Sequence, residues 1–270
     1  MPINFLKMTE ISLIIVAYNS DGFIEKCIKS VLKHLPKNSE VIVLDNASTD
    51  NTLKILQKFG ANIKLIKSNK NLGFAKGNNL ALKQSKGEYL FFLNPDTEVL
   101  EPVFETLLDF YKKTYDAGII APKLIMSDGK IQPSVKNLPT IRGAFKEYIL
   151  GNKNSYSEYV PTVDKPIEVG MVYGAAMLIK RELFESVGGF DEGYFIYYED
   201  ADLCREIHMA GKKIYYYPGV SIKHMVGGVK TNLDRYKLNY DSFVKYHGLL
   251  GATILQLIFQ IPRIKRRLSL

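Results

Sequence analysis

Three places in this 270-residue chain gather side chains that could do chemistry. The first is Asn94-Pro95-Asp96, where the apolar run Tyr89 to Leu93 stops abruptly. Proline cannot extend a strand ladder and an acid cannot stay in an apolar core, so the chain must leave a sheet there. A carboxylate at the carboxyl end of a central strand sits where open α/β sheets bind ligands. It is also the hard oxygen donor that Mg²⁺ or Mn²⁺ takes beside a diphosphate. The plainer alternative is that Asp96 only ends the strand and caps a helix starting near Glu101.

The second place is Glu199, Asp200 and Asp202, ahead of a short amphipathic helix that offers Leu203, Ile207 and Met209 to a core. Three acids in a first turn favour the helix dipole by about 0.3–1 kcal/mol each. That accounts for them without chemistry. It does not account for Phe190, Tyr194, Phe195, Tyr197 and Tyr198 around them. Such rings strip water from a carboxylate and raise its pKa toward the range of a general base. Gly188-Gly189 would let this segment approach a ligand closely. The third place is His224, which follows a strand-like run, Ile214 to Tyr217, closed by Pro218-Gly219. A lone histidine is usually structural, but imidazole is acceptable to Mn²⁺, and His224 could share an ion with Asp96.

These groups need a frame, and the hydrophobic pattern supplies one. Ile11 to Ala17 reads as a buried strand, followed by a helix from Asp21 to His34 and a strand from Val41 to Leu44. Ser48 or Asp50 can cap the next helix, with Leu53, Ile55, Leu56 and Phe59 at helical spacing. A strand from Ile63 to Ile66, a helix through Leu82 and the strand Tyr89 to Leu93 complete the alternation. Such alternation argues for a parallel sheet with right-handed crossovers. Three strands end in polar clusters, at Tyr18-Asn19, Asp45-Asn46 and Asn94–Asp96, and parallel strands bring those ends to one edge.

Further on, the pattern predicts a helix over Phe104–Tyr115, a strand over Gly118–Ala121 and a hairpin turn at Ser127-Asp128-Gly129. Residues 133–166 carry four prolines and little periodicity, as in a partly helical insertion on the acceptor side of a site. Val169–Ile179 reads as extended and Arg181–Val187 as helical.

Composition narrows the classes. A 46% hydrophobic content suffices for a large core. No GxGxxG follows the first strand and no GxxxxGK[ST] occurs, which argues against a dinucleotide-binding dehydrogenase and a P-loop enzyme. Cys27 and Cys204 match no disulfide or zinc spacing, in keeping with a reducing cytoplasm. The first strand follows Glu10 and does not read as a signal peptide.

The net charge is +8, and no acid occurs from Ser242 onward, whereas Lys245, Arg263, Lys265, Arg266 and Arg267 do. A basic tail behind the apolar run Gly248–Ile261 suits an anionic membrane surface better than nucleic acid. The run has fourteen residues, fewer than the roughly 20 of a spanning helix. Packing of this tail on its own domain, or on a second copy in a homodimer, is the alternative. On the membrane reading, truncation after Gly248 weakens binding to anionic vesicles and leaves any activity on soluble substrates largely intact.

In order and spacing, SLIIVAYNS, VIVLDNASTD, NLGFAKGNN, FLNPDTEV and VGGFDEGYFIYYEDADLCRE resemble the inverting glycosyltransferases of family two, in their rhamnosyltransferase-like branch. The resemblance implies an α/β GT-A fold, with a Rossmann-like, mostly parallel central sheet flanked by helices and a C-terminal helical tail. The domain would span residues 1–230, its nucleotide-binding part at about 10–121 and its acceptor part at 122–230, with the basic tail at 231–270.

The resemblance further implies that Ala17, Tyr18, Asn19 and Asp45 hold the base and ribose of a nucleotide-sugar donor. Asn71, Gly73 and Asn78 would lie along its diphosphate. Asn94 and Asp96 occupy the place of the family's DXD motif, with Asn94 replacing the first acid. Asp96 would bind a Mg²⁺ or Mn²⁺ ion, joined by His224. Asp200 matches the general base, with Glu199 as the alternative, and Lys230 or Arg235 would assist the departing diphosphate.

The first donor the resemblance suggests is dTDP-rhamnose, with a UDP-hexose or UDP-N-acetylhexosamine next. The acceptor would be a glycan or lipid-linked glycan of surface polysaccharide, met in the cytoplasm or at the inner membrane face. A catalytically silent sugar-nucleotide-binding subunit is the alternative from another class.

Overall fold

A computed structural model describes residues 9–225 and 234–268, with side chains through Pro262. The early apolar runs become four strands: β1 (Ile11–Ala17), β2 (Glu40–Asp45), β3 (Lys64–Lys67) and β4 (Tyr89–Leu93). They pair in parallel in the order β3-β2-β1-β4. The crossovers are α1 (Ile24–His34), α2 (Thr52–Gln57) and α3 (Gly73–Leu82). Helix α1 begins three residues later than its periodicity suggests, because residues 21–23 form a turn. Neither Ser48 nor Asp50 is the N-cap of α2, which is Asn51 with no side-chain capping bond, but Asp50 Oδ1 accepts the Thr52 N–H at 2.9 Å from the preceding position.

The chain continues through β5 (Thr97–Val99), α4 (Val103–Lys113), β6 (Ala117–Ile125), β7 (Val135–Lys136) and α5 (Ile141–Tyr148). Then come β8 (Ile167–Val169), β9 (Met171–Val172), β10 (Ala176–Lys180), α6 (Arg181–Ser186), α7 (Glu199–Met209), β11 (Lys213–His224) and α8 (Arg235–Leu268). The sheet extends as β4-β10-β6-β11-β5, with β8 also on β11, and here it is mixed. Strand β10 runs antiparallel to β4 and β6, whereas β11 is parallel to β6. β7 and β9 form a separate ribbon.

Strand alternation sorts the side chains into two layers. Leu13, Ile15 and Phe91 pack with α1 and α4, whereas Ile14, Leu90 and Phe92 pack with α3, α6 and α7. The result is a three-layer α/β/α body.

One connection shapes everything at the site. Only residues 94–96 separate β4 from β5, yet β5 lies four strand steps from β4 in the sheet order. Four steps at about 4.8 Å make about 19 Å across a flat sheet. The chain from Leu93 to Thr97 reaches at most about 14 Å. The sheet therefore curls until its far edge returns toward β4, and Asp96 sits in the link.

Several local expectations are corrected. Pro218-Gly219 does not close β11, which runs on to His224 and absorbs the proline at a register shift between Tyr217 and Ser221. The extended stretch Val169–Ile179 is three strands with different partners, broken at Gly170 and at Tyr173-Gly174-Ala175. Met209 is exposed because it lies at the end of α7, whose core contacts are Leu203, Cys204 and Ile207. Gly188 and Gly189, at φ +87° and +73°, close α6 by donating to Glu185 and Phe184 carbonyls.

The insertion at 133–166 is partly helical: Thr140 caps α5 by accepting the Gly143 N–H at 3.0 Å. Helix α8 bends at Gly248, where φ 69° and ψ 162° are non-helical. Phe243, Ala252, Leu255 and Ile258 bury themselves against Ala144 and Tyr156, so the tail packs on its own chain. The fourteen-residue count understates the helix. By length and composition, the 28-residue Arg235–Pro262 suffices to cross a membrane, its most apolar 18 residues having mean hydropathy 1.2, but the bend at Gly248 divides it.

Candidate active site

The ends of β1 and β2 are joined first. Ala17 is in register with Asp45, and the Asn46 N–H donates to the Ala17 carbonyl at 2.8 Å. Asn19, at φ +48°, accepts the Thr49 N–H on its Oδ1 at 2.8 Å, while half-buried Tyr18 precedes it. Asp45 is buried and its Oδ1 has no hydrogen-bond partner. Burial raises its pKa, against the pull of the Ser48 hydrogen bonds. A buried carboxyl oxygen left open calls for a proton or an incoming donor.

Asn46, part of a polar strand end in the sequence, organises the neighbouring loop through its side chain. Its Nδ2 donates to Asn71 Oδ1 at 2.9 Å and to the Gly73 carbonyl at 3.2 Å, while its Oδ1 accepts the Leu72 N–H at 2.8 Å. Asn71 in turn accepts the Gly73 N–H at 2.9 Å. Gly73, at φ +78°, lies so close to the 190–198 loop that a Cβ would stand 2.2 Å from the Phe195 carbonyl oxygen. Beside it, the Phe74 N–H donates to that same oxygen at 2.7 Å. Asn78 is buried and donates within α3 to the Phe74 carbonyl at 2.9 Å. Asn46, Asn71 and the Gly73-Phe74 backbone thus couple the β2 edge to the loop that leads into α7.

The curl of the sheet brings the second group together. Thr97 is in register with His224, and the Met225 N–H donates to the Asp96 carbonyl at 2.8 Å. Asp96 and His224 are both buried, with Oδ1 and Nε2 3.3 Å apart. His224 Nδ1 lies 2.8 Å from Gln132 Oε1, which assigns the Nδ1 proton in the neutral ring and turns the Nε2 lone pair toward the carboxylate. Two lone pairs face each other at that distance only with a proton or a cation between them. Adjacent corners of an octahedron with bonds of about 2.1 Å are about 3 Å apart, so the pair fits Mg²⁺ or Mn²⁺. Among the described residues no third His, Cys, Asp or Glu joins it. Such a site would leave its remaining positions to phosphate and water, as Mg²⁺ sites commonly do.

A cleft of about 750 Å³ opens beside this pair, and Asn94, His224, Glu199 and Asp200 all line it. Asp200 Oδ2 accepts the Gly174 N–H at 3.2 Å and its Oδ1 accepts the Ala201 N–H at 2.8 Å. Burial raises the Asp200 pKa, while those amides and the Lys136 charge act in opposition. Glu199 is more enclosed: its Oε2 has no partner, and burial, then the Asp200 charge, pushes its pKa well above the carboxylate range. Environment thus splits the pair into a neutral acid and a carboxylate that ionises more readily. Tyr197 and Tyr198, at φ +70° and +67°, hold the turn that aims both into the cleft. Backbone of this kind costs on the order of 1–3 kcal/mol per residue.

Asp202 points elsewhere, to Arg205 and, at 3.3 Å, to the Tyr194 hydroxyl. Phe190 faces the core, against Phe74, Phe92 and Phe184. Lys136 on the cleft wall and Gln132 behind His224 gave no signal in the sequence, because Lys136 lies in the aperiodic insertion and Gln132 directly before it. Lys230 lies outside the described residues, and Arg235 opens α8.

The curled sheet flanked by helices, with its C-terminal helix, is a GT-A fold. Residues 12–188 match the family described as glycosyl transferase family 2, and the chain belongs to that family of inverting sugar transferases. It is 27% identical to the N-acetylglucosaminyl-diphospho-decaprenol L-rhamnosyltransferase of Mycobacterium tuberculosis, over 80% of this chain and 76% of that one. It is 29% identical to rhamnosyltransferase WbbL of Escherichia coli K12, over 78% of this chain and 82% of that one. In fold it resembles GalNAc-T7, solved with UDP, GalNAc and Mn²⁺, at a TM-score of 0.65 and 16% identity. That match covers 90% of this chain but only 51% of the larger one.

Proposed function

We propose that this enzyme transfers L-rhamnose from dTDP-rhamnose to a lipid-linked glycan during synthesis of a surface polysaccharide, at the cytoplasmic face of a membrane. The observation that carries this reading is the single cleft shared by Asp200 and by His224, the partner of Asp96. In this mechanism Asp200 takes the proton of an acceptor hydroxyl as its oxygen attacks the anomeric carbon. Glu199, kept neutral, leaves the negative charge on Asp200. Attack opposite the departing nucleoside diphosphate inverts the anomeric centre. Asp96 and His224 would hold a divalent cation, whose charge offsets that of the leaving diphosphate. Asp45, with its open oxygen, would accept a donor N–H or O–H from the nucleoside, next to Tyr18 and Asn19.

The names of the mycobacterial and Escherichia coli relatives support the choice of sugar, and the decaprenol in the first supports a lipid-linked acceptor. The test is acceptor-dependent release of nucleoside diphosphate from a panel of nucleotide sugars, with and without Mn²⁺. dTDP-rhamnose should turn over fastest. Faster turnover of a UDP-sugar would reassign the donor. Binding of every donor without turnover would leave a silent binding subunit.

A further inference from the structure

Helix α8 presents different side chains to two surroundings. Tyr240, Phe243, Gln256 and Phe259 line the cleft, and Leu255 is wholly buried against the insertion helix α5. Leu249, Leu250 and Leu257 are instead exposed, Leu250 by 75%. Leu250 and Leu257, seven residues apart, share one stripe of the helix. Helix α5, about a hundred residues earlier in the chain, adds to this exposed surface. Ile141 Cδ1 lies 3.7 Å from where a Cβ of Gly251 would stand, and Tyr148 meets Phe259 with ring centroids 5.2 Å apart. The two helices therefore run side by side. Ile141 and, one turn on, Phe145 are exposed, with Leu150 beyond them.

Basic residues accompany these apolar ones, and the acid of α8, Asp241, lies before the bend at Gly248. Arg142 and Lys146 accompany Ile141 and Phe145 on α5, and Arg263, Lys265, Arg266 and Arg267 follow in the α8 sequence. The one acid of α5, Glu147, is turned to the adjoining loop, where it accepts the Tyr156 and Ser157 N–H groups at 2.7 and 3.0 Å. Exposed Leu, Ile and Phe edged by Lys and Arg are what the interface of an anionic bilayer attracts.

We propose that α5 and α8 together form one docking face for an anionic phospholipid bilayer, with α8 acting both as lipid contact and as wall of the catalytic cleft. The mouth of the cleft would then lie at the bilayer surface, where a lipid-linked acceptor presents its headgroup. This inference rests on the proposed acceptor class only for its purpose. The contact itself needs no substrate.

The test is co-sedimentation with phosphatidylcholine vesicles, with and without about one-third phosphatidylglycerol. The decisive variant is Phe145→Asp on α5, which leaves the basic tail intact. Leu250→Asp reports the α8 side, and Leu100→Asp, an exposed leucine beside β5, is the control. Because all three positions are exposed, each variant should keep the wild-type melting midpoint and its turnover of a soluble acceptor. Wild type and Leu100→Asp should bind only the anionic vesicles, and less tightly as salt rises. Phe145→Asp and Leu250→Asp should each bind at least tenfold more weakly. Unchanged binding by Phe145→Asp would overturn the two-helix face. So would a wild type that ignores vesicles and forms a dimer that Phe145→Asp dissociates, since the face would then join two copies. Because no donor or acceptor is present, neither result bears on the choice of sugar.

Discussion

Asp200→Asn separates the role of this side chain in the fold from its role in the reaction. Asparagine keeps the shape and one oxygen. Of the two amides at Asp200, Gly174 at 3.2 Å and Ala201 at 2.8 Å, one retains an acceptor and the other meets an NH₂ group. That mismatch costs about 1–3 kcal/mol. The substitution also removes a carboxylate whose charge burial disfavours, which acts in the opposite direction. The net change in stability should stay within about 2 kcal/mol. The chemical step loses its proton acceptor, worth a factor of about 10²–10⁴, or about 3–5 kcal/mol of barrier.

The assay is the initial rate of nucleoside diphosphate release at saturating acceptor, run beside donor binding and the melting midpoint. Rate should collapse while binding and melting stay near wild type. Glu199→Gln is the companion, because glutamine imitates the neutral acid that burial enforces, and its kcat should remain within about tenfold of wild type. It also carries a pH signature. The folded pKa of Glu199 lies above its ordinary 4.5, so the unfolded chain releases this proton first as pH rises. The stability contributed by the neutral acid is full below that value and drains away as pH climbs toward the folded pKa. Glu199→Gln removes the dependence, so its melting advantage should widen as pH rises above the ordinary carboxylate range. An Asp200→Asn enzyme that kept more than a tenth of wild-type kcat with normal donor binding would refute the assignment of the base.

Three further outcomes follow from the geometry. Gly73→Ala should lower stability by about 2–4 kcal/mol, since alanine pays for its positive φ and pushes the Phe195 carbonyl off its bond to Phe74; thermal denaturation reads the change. His224→Ala should raise the Mn²⁺ concentration for half-maximal rate by about 10–100-fold, the range for a lost metal partner, and an unchanged metal titration would remove His224 from the site. Truncation after Gly248 should cost about 3–6 kcal/mol from the burial of Leu255 and Ile258 alone. It should also abolish turnover of a soluble acceptor, because Gln256 and Phe259 leave the cleft wall. Retained turnover would restore the view of the tail as a dispensable anchor.

Much of the frame was legible in the chain itself. The strand Tyr89–Leu93 appears with the bounds its apolar run suggests, and the β1, β2 and β3 runs lie within a residue or two of theirs, because buried parallel strands are continuous stretches of apolar residues. The acids at Asp96 and Asp200 stood out for the same local reason, a charge set directly against such a stretch or among aromatic rings. Pairing across the sheet left no such trace. No periodicity reveals that β5 returns to β11, that the curl carries Asp96 to His224, or that Gln132 fixes the imidazole. Those contacts join residues about 90 to 130 positions apart, and they follow from a sheet that must bend because three residues cannot bridge four strand spacings. Likewise, the tail's apolar run could have met lipid, a second copy or its own domain. Only packing decided that Leu255 belongs to the protein and Leu250 to its surroundings, since burial belongs to the assembled fold and not to the residue.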